Sequence, residues 1–135
     1  FFDEIDALGM AEARRLVFER ALADYVARRG PDPCRLIVDG TIFRPWKLPR
    51  SGQAVPHACI PKADASVPCV AAASILAKTT RDALIAELCD AHPHLDEQYG
   101  LRSNKGYLST RHLLGLRAHG RSIWHRASFR IRALE

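Results

Sequence analysis

The stretch KADASVPCVAAASILAKTTRDALIAELCDA, Lys62 to Ala91, decides the fold. Its centre is rich in alanine and straight-chain residues, which favour a helix. Pro68 suits a first-turn position, where a missing N–H costs nothing, and Ser66 is a candidate cap. His92-Pro93 ends the run, because the residue before a proline is pushed out of helical geometry. The spacing therefore predicts a helix from about Pro68 to about Ala91. Ala71, Ala72, Ala73 and Ala77 carry little bulk, so this helix is expected to pack closely on a sheet.

Upstream, residues 10 to 28 read as an amphipathic helix. Met10, Ala13, Val17, Ala21 and Tyr25 form its apolar stripe, and Gly30 and Pro31 stop it. Leu36-Ile37-Val38 is an apolar run between turn residues, a buried strand that ends in Asp39-Gly40. Pro45 and Pro49 mark a loop. Ala54 to Ile60 reads as a second strand, placed at an edge by Pro56. Downstream of the long helix a loop runs to Ser109, and Thr110 to His119 forms a shorter helix. The arginine-rich end after Gly120 has no clear periodicity. This order is an α/β pattern. Two strands alone make a poor sheet, which is a physical sign that strands are missing.

The chain has 135 residues, 47% of them hydrophobic and 26% charged, as in one globular domain with one core. It has no apolar run of membrane-spanning length and no signal-peptide pattern, and its expected location is cytoplasmic. Its first residue is Phe1, so it is expected to be processed or a piece of something longer. Cys34, Cys59, Cys69 and Cys89 show no CxxC spacing, and reduced thiols are the preferred reading. A zinc site from Cys89, His92 and His94 with His57 and Cys59 matches no known zinc spacing.

The net charge is +5, but its distribution says more. Arg102, Lys105, Arg111, Arg117, Arg121, Arg126, Arg130 and Arg132 crowd the region 101–135, whose only acid is Glu135. A one-sided basic region fits a polyanion, nucleic acid being the commonest. A solubilising surface is the plainer alternative.

In an open α/β sheet, functional groups gather beyond the carboxyl ends of strands. Asp39 sits at such an end, although Asp-Gly is also an ordinary turn. Asp64 precedes the long helix, and unaided its plainer role is to complement the helix dipole. Ser74, Lys78 and Arg81 share one helix face by spacing. A hydroxyl and two cations there suit a phosphodiester. The alternative is a solvated face with Lys78 paired to Asp82.

Together these residues resemble ribonuclease HII, the type 2 ribonuclease H family. KAD followed by SVPCVAAASILAKTTRD looks like the family's most distinctive segment. EID at Glu4–Asp6, IVDG ending at Gly40, KGYLSTRH at Lys105–His112 and HRASF at His125–Phe129 match in the family's order. The resemblance implies a partial ribonuclease H-like α/β fold with carboxy-terminal helices, a single incomplete domain over 1–135. It implies an enzyme that cuts the RNA strand of RNA–DNA hybrids, and duplex DNA at embedded ribonucleotides. Four carboxylates would hold Mg²⁺ or Mn²⁺, and Asp39 and Asp64 match two of them as catalytic metal ligands. Ser74, Lys78, Arg81, Lys105, Tyr107 and His112 are the expected substrate-binding residues. Tyr107 matches the tyrosine that packs on the sugar at an RNA-to-DNA junction; a core tyrosine is the alternative. No protein partner is implied, and the complete enzyme is expected to be a monomer.

The family opens with a strand carrying Asp-Glu and then Gly-Arg-Gly, and nothing here matches it. Asp3-Glu4 is an Asp-Glu pair, but no Gly-Arg-Gly follows and Glu4 belongs to EID. Two carboxylates and the backbone that reads the ribose 2′-hydroxyl are therefore expected to be missing, leaving the chain inactive alone. The rival reading is a noncatalytic nucleic-acid-binding remnant of the family. No role is assigned to residues 43–56.

Overall fold

A computed structural model of the chain describes residues 2–30 and 35–132. Cys34, Pro31 and Glu135, read above, lie outside the described residues. The elements are helices α1 (Phe2–Leu8) and α2 (Met10–Arg29), strands β1 (Leu36–Asp39) and β2 (His57–Ile60), and a 3-10 turn (Ala63–Ala65). Helices α3 (Pro68–Ala91), α4 (Pro93–Tyr99), α5 (Leu101–Asn104) and α6 (Thr110–His119) follow. The class is mixed α/β. The chain gathers into two compact units, Ala7–Ile75 and Phe1–Asp6 with Leu76–Glu135.

In the first unit β1 and β2 pair in parallel, Leu36 opposite His57 through Asp39 opposite Ile60. The second strand is shorter than its sequence promises. Pro56 has no N–H and meets β1 only through its carbonyl, which accepts from Leu36 N–H at 2.9 Å. Ala54 instead forms an isolated antiparallel bridge with Lys47, so 47–54 folds back on itself. Helix α2 has the expected span but not the expected face. Met10, Val17 and Tyr25 are exposed, and of the expected stripe only Ala13 is buried. The inward direction is set by Phe18, whose ring meets Phe43 edge-on at 5.3 Å; Phe43 in turn meets His57 at 5.2 Å. Aromatic area outweighs the thinner aliphatic stripe.

Helix α3 runs over the expected residues, but the chain enters it through Val67. Ala71 N–H donates to Val67 O, which leaves Ser66 one residue outside the cap position. The expected close packing on a sheet is not seen: Ala72, Ala73 and Ala77 are exposed, as are Ile75 and Leu76 at 64% and 67%.

The second unit holds the larger core: Cys89, Leu95, Tyr99, Leu101, Leu116 and Ile131, with Ile85, Leu88, Leu113 and Trp124 against it. The expected loop before Ser109 is in fact two short helices. Pro93 does break α3, but it also opens α4 at a first-turn position. Gly100, at φ 66°, is both the end of α4 and the start of α5. Helix α6 is capped by Ser109, whose hydroxyl accepts from His112 N–H at 3.2 Å. Where α4 and α6 cross, Gly115 lies so near Gln98 that a Cβ would overlap its carbonyl. Helix α1 was not foreseen. Its Asp6 reaches the far end of the chain, accepting from Ala127 N–H at 2.6 Å and Ser128 N–H at 3.0 Å. The EID and HRASF segments therefore meet directly. The Ser128 hydroxyl and backbone bonds hold the Asp6 carboxyl below its ordinary range.

Candidate functional site

Two exposed carboxylates gather beyond the carboxyl ends of the parallel strands. Asp39 is the last residue of β1, and Gly40, at φ 121°, turns the chain away while its N–H donates to Ile60 O at 3.1 Å. Beyond β2, Lys62 adopts left-handed geometry at φ 56° and starts the 3-10 turn that carries Asp64. Asp39 Oδ1 accepts from Ala63 N–H at 3.0 Å, so the first carboxylate is tied to the residue beside the second. Ala63 is fully buried and anchors this turn. Asp64 lies in the 3-10 turn rather than in the first turn of α3. Among the described residues, no three His, Cys, Asp or Glu side chains group closely enough to hold a metal. That overturns the zinc reading for its described members: Cys89 is buried in the core, and His92 and His94 contact each other edge-on at 5.9 Å. Cys59, Cys69 and Cys89 are free thiols.

On α3, Ser74, Lys78 and Arg81 are all exposed. Lys78 Nζ lies 3.2 Å from Asp82 Oδ2, which realises the plainer pairing, yet its side chain remains largely in solvent. Arg81 has more partners than expected. Its Nη2 donates to Lys105 O at 2.7 Å, and its guanidinium carbon lies 4.9 Å from the centre of the Tyr107 ring. A cation over an aromatic face at this distance is attractive. Arg81 Nη1 is 3.8 Å from Asp82 Oδ1, a buried oxygen without a hydrogen bond among the described residues.

Tyr107 is 63% exposed, which excludes the core-tyrosine alternative. The turn that presents it is built by Asn104, a residue the sequence reading passed over. Asn104 Oδ1 accepts from Gly106 N–H at 2.8 Å, its Nδ2 donates to Tyr99 O at 2.7 Å, and its carbonyl accepts from Tyr107 N–H at 2.9 Å. Lys105, at φ 53°, and Gly106, at φ 78°, turn the chain between them. His112 differs from the other expected substrate residues. It is 5% exposed, and its ring nitrogens face Tyr107 O at 3.0 Å and His125 Nε2 at 3.0 Å. It braces Tyr107 from within instead of offering a face to solvent. His125, quoted above only as part of HRASF, had no role in the sequence reading; its spacing to Ser122 was the available signal. Burial, then the neighbouring His112 ring, holds His125 below its ordinary value of 6.5.

The basic region is partly committed to structure. Arg121 donates to the carbonyls of Arg126, Ala127 and Phe129, Arg102 to Asp90, and Arg111 to Asp96 O. Their charges remain at an exposed surface. No helix of the described residues is long and apolar enough to cross a membrane.

Comparison with known proteins places this arrangement. A sequence model of the family described as Ribonuclease HII matches residues 10–132. A protein named Ribonuclease HII from Paracidovorax citrulli is 41% identical over 127 residues, 94% of this chain and 47% of the relative. Proteins of the same name from Christiangramia forsetii and Chlorobium luteolum are 37% and 39% identical. They cover 97% and 98% of this chain, and 59% and 57% of their own lengths. The chain thus spans about half the length of the curated relatives it matches. With its parallel strand pair, its EID–HRASF contact and these matches, the chain belongs to the ribonuclease HII family.

Proposed function

We propose that this chain forms part of a metal-dependent endoribonuclease. Its substrates are RNA–DNA hybrids, cut in the RNA strand, and duplex DNA carrying embedded ribonucleotides. The observation that supports the reading is the bond from Ala63 N–H to Asp39 Oδ1, which ties the carboxylate at the end of β1 to the turn that carries Asp64. Carboxylate oxygens suit Mg²⁺ or Mn²⁺, so the donor set fits the expected ion. It fits in part: two carboxylates supply two negative charges against the four positive charges of a cation pair. When bound there, such cations would supply an activated water and stabilise the leaving oxygen.

The chain's own residues do the rest. The Ala63 amide orients Asp39, so one carboxylate is aimed before a cation arrives. Lys78, an exposed ammonium with no lone pair to give a metal, neutralises a substrate phosphate. Tyr107 offers a flat ring to the sugar at an RNA-to-DNA junction, with Arg81 stacked on it and Lys105 beside it. Ser74 adds a hydroxyl on the same face of α3 as Lys78. Hydrolysis then leaves 5′-phosphate and 3′-hydroxyl ends. The working enzyme is a cytoplasmic monomer whose partner is nucleic acid.

The under-neutralised carboxylate pair favours one second reading, a noncatalytic nucleic-acid-binding remnant. A metal-dependent cleavage assay on an RNA–DNA hybrid separates the two. The 135-residue chain is tested alone and with the amino-terminal segment of a relative, Asp39→Asn being the contamination control. We expect no useful cleavage alone and cleavage with the added segment. Binding without cleavage in both arms favours the remnant. Robust cleavage by the chain alone, lost in Asp39→Asn, would show that its own residues complete the site.

A further inference from the structure

We infer that His125 is a positioning residue for Tyr107, acting through the ring of His112. The inference rests on the reading of Tyr107 as a substrate contact. Four groups form one hydrogen-bonded line: Ser122 N–H, the His125 ring, the His112 ring and the Tyr107 carbonyl. Ser122 N–H lies 3.0 Å from His125 Nδ1, the two imidazole Nε2 atoms are 3.0 Å apart, and His112 Nδ1 is 3.0 Å from Tyr107 O. Both ends of the line are main-chain groups with fixed roles. An amide N–H can only donate, and a carbonyl can only accept.

Those ends leave one arrangement of protons for two neutral rings. Ser122 N–H makes His125 Nδ1 an acceptor, so the His125 proton sits on Nε2. That proton points at His112 Nε2, which must accept. The His112 proton is then on Nδ1 and is donated to Tyr107 O. The Ser122 hydroxyl, 2.8 Å from His125 Nδ1, adds a donor at the same end. Every ring nitrogen is satisfied, as buried polar groups require.

Without the His125 donor, the buried His112 Nε2 has no proton facing it. Tyr107 O still holds the His112 proton on Nδ1, but the ring loses the partner that fixes its other edge. The ring can then swing about its one remaining bond, and the brace on Tyr107 loosens. Ser109 N–H still donates to Tyr107 O at 2.8 Å, so the turn survives with one of its two tethers weakened. The Tyr107 ring is exposed and, among the described residues, is covered from outside by Arg81, so its direction depends on its own backbone. The surroundings of the pair are aromatic and basic. Tyr99 lies 6.1 Å from His112 and 4.7 Å from His125, ring centre to ring centre, and His119 lies behind Tyr99 at 6.3 Å. Arg121 adds a positive charge near His125. No described carboxylate hydrogen-bonds to either ring, so the tautomers are set by this line.

The test uses the 135-residue chain with Tyr107→Ala, His125→Leu and His125→Gln variants. The Gln amide can still donate where His125 Nε2–H does, while Leu cannot. Long-range nitrogen–proton NMR spectra assign the His112 tautomer. Binding of each variant, completed by the amino-terminal segment of a relative, to a duplex with one embedded ribonucleotide, relative to an all-DNA duplex, reads the function. We expect His112 to carry its proton on Nδ1 in the parent chain and in both His125 variants, with that proton exchanging faster with solvent in His125→Leu than in the parent or in His125→Gln. His125→Leu should lose about two- to tenfold in relative binding, the worth of one neutral hydrogen bond, and His125→Gln should recover most of it. A parent chain with the His112 proton on Nε2 overturns the inference, whether or not the Leu variant folds. So does a binding ratio that falls in Tyr107→Ala but is unchanged in His125→Leu. No effect of Tyr107→Ala sinks the substrate role of Tyr107 instead, while the tautomer assignment still reports on the hydrogen-bonded line.

Discussion

Lys78 holds an ion pair that a second anion can break. Its 3.2 Å pair with Asp82 is a surface ion pair, of the kind that contributes about 0–1 kcal/mol, so a phosphate can compete for the ammonium. Lys78→Ala should weaken hybrid binding and flatten its salt dependence by about one phosphate contact. An unchanged slope with intact affinity would assign Lys78 to the helix surface alone. Tyr107 should matter at junctions. In the completed enzyme, Tyr107→Ala should reduce cutting at a single ribonucleotide more than cutting within a long RNA tract. Equal losses on both substrates would remove its junction role. His125 carries the pH argument. Burial and the His112 ring hold it below 6.5, so the folded chain favours the neutral ring and the unfolded chain takes up the proton first. Its contribution to stability is therefore complete above 6.5 and lost as pH falls through the depressed value. An NMR titration of the His125 ring should give a midpoint below 6.5; a midpoint above it would contradict the desolvation of that ring.

At the scale of elements, close approach and end-to-end contacts set the vulnerable points. Gly115→Ala would push a methyl into the Gln98 carbonyl and force α4 from α6, costing about 1–3 kcal/mol of stability. Thermal melts of the two chains measure it, and an unchanged midpoint would mean the helices can slide apart freely. Asp6→Ala should free the Ala127 and Ser128 amides, read as faster hydrogen exchange at those two positions. How far such elements can be read from the chain depends on whether local signals decide them. Pro68, Ser109 and Gly120 punctuate α3 and α6, and those helices fall where the sequence puts them. Helices α1, α4 and α5 have seven, seven and four residues, too short for a periodic pattern, and they stand on tertiary packing. The α2 stripe misled because Phe18 and Phe43, not the count of apolar positions, choose the buried side. The positions of Asp39, at a strand end, and Asp64, ahead of the long helix, were legible in the sequence. His125 was not, since its role depends on a partner brought to it by the fold.

For the whole molecule the deciding question is how much of an active centre these residues supply. Two carboxylates would neutralise only half the charge of a divalent cation pair, and among the described residues one strand pair leaves sheet edge unpaired. Ile75 and Leu76, exposed on α3, add apolar surface of the sort that promotes association. The chain tested alone should therefore self-associate at high concentration, and an added amino-terminal segment should reduce this. Light scattering with and without that segment is the measurement; a monodisperse chain alone would show that the exposed residues are tolerated.

The bond from Asp6 to Ser128 also carries a timetable. The unit Ala7–Ile75 is continuous in sequence, whereas the other is assembled from Phe1–Asp6 and Leu76–Glu135. During synthesis from the amino terminus, the continuous unit can close as soon as residue 75 leaves the ribosome. The other must keep Asp6 waiting until Ala127 and Ser128 emerge, because these supply its donors. Closing so long a loop is slow relative to local contacts. A nascent chain halted before Ala127 therefore leaves the Asp6 carboxylate without those two amide donors.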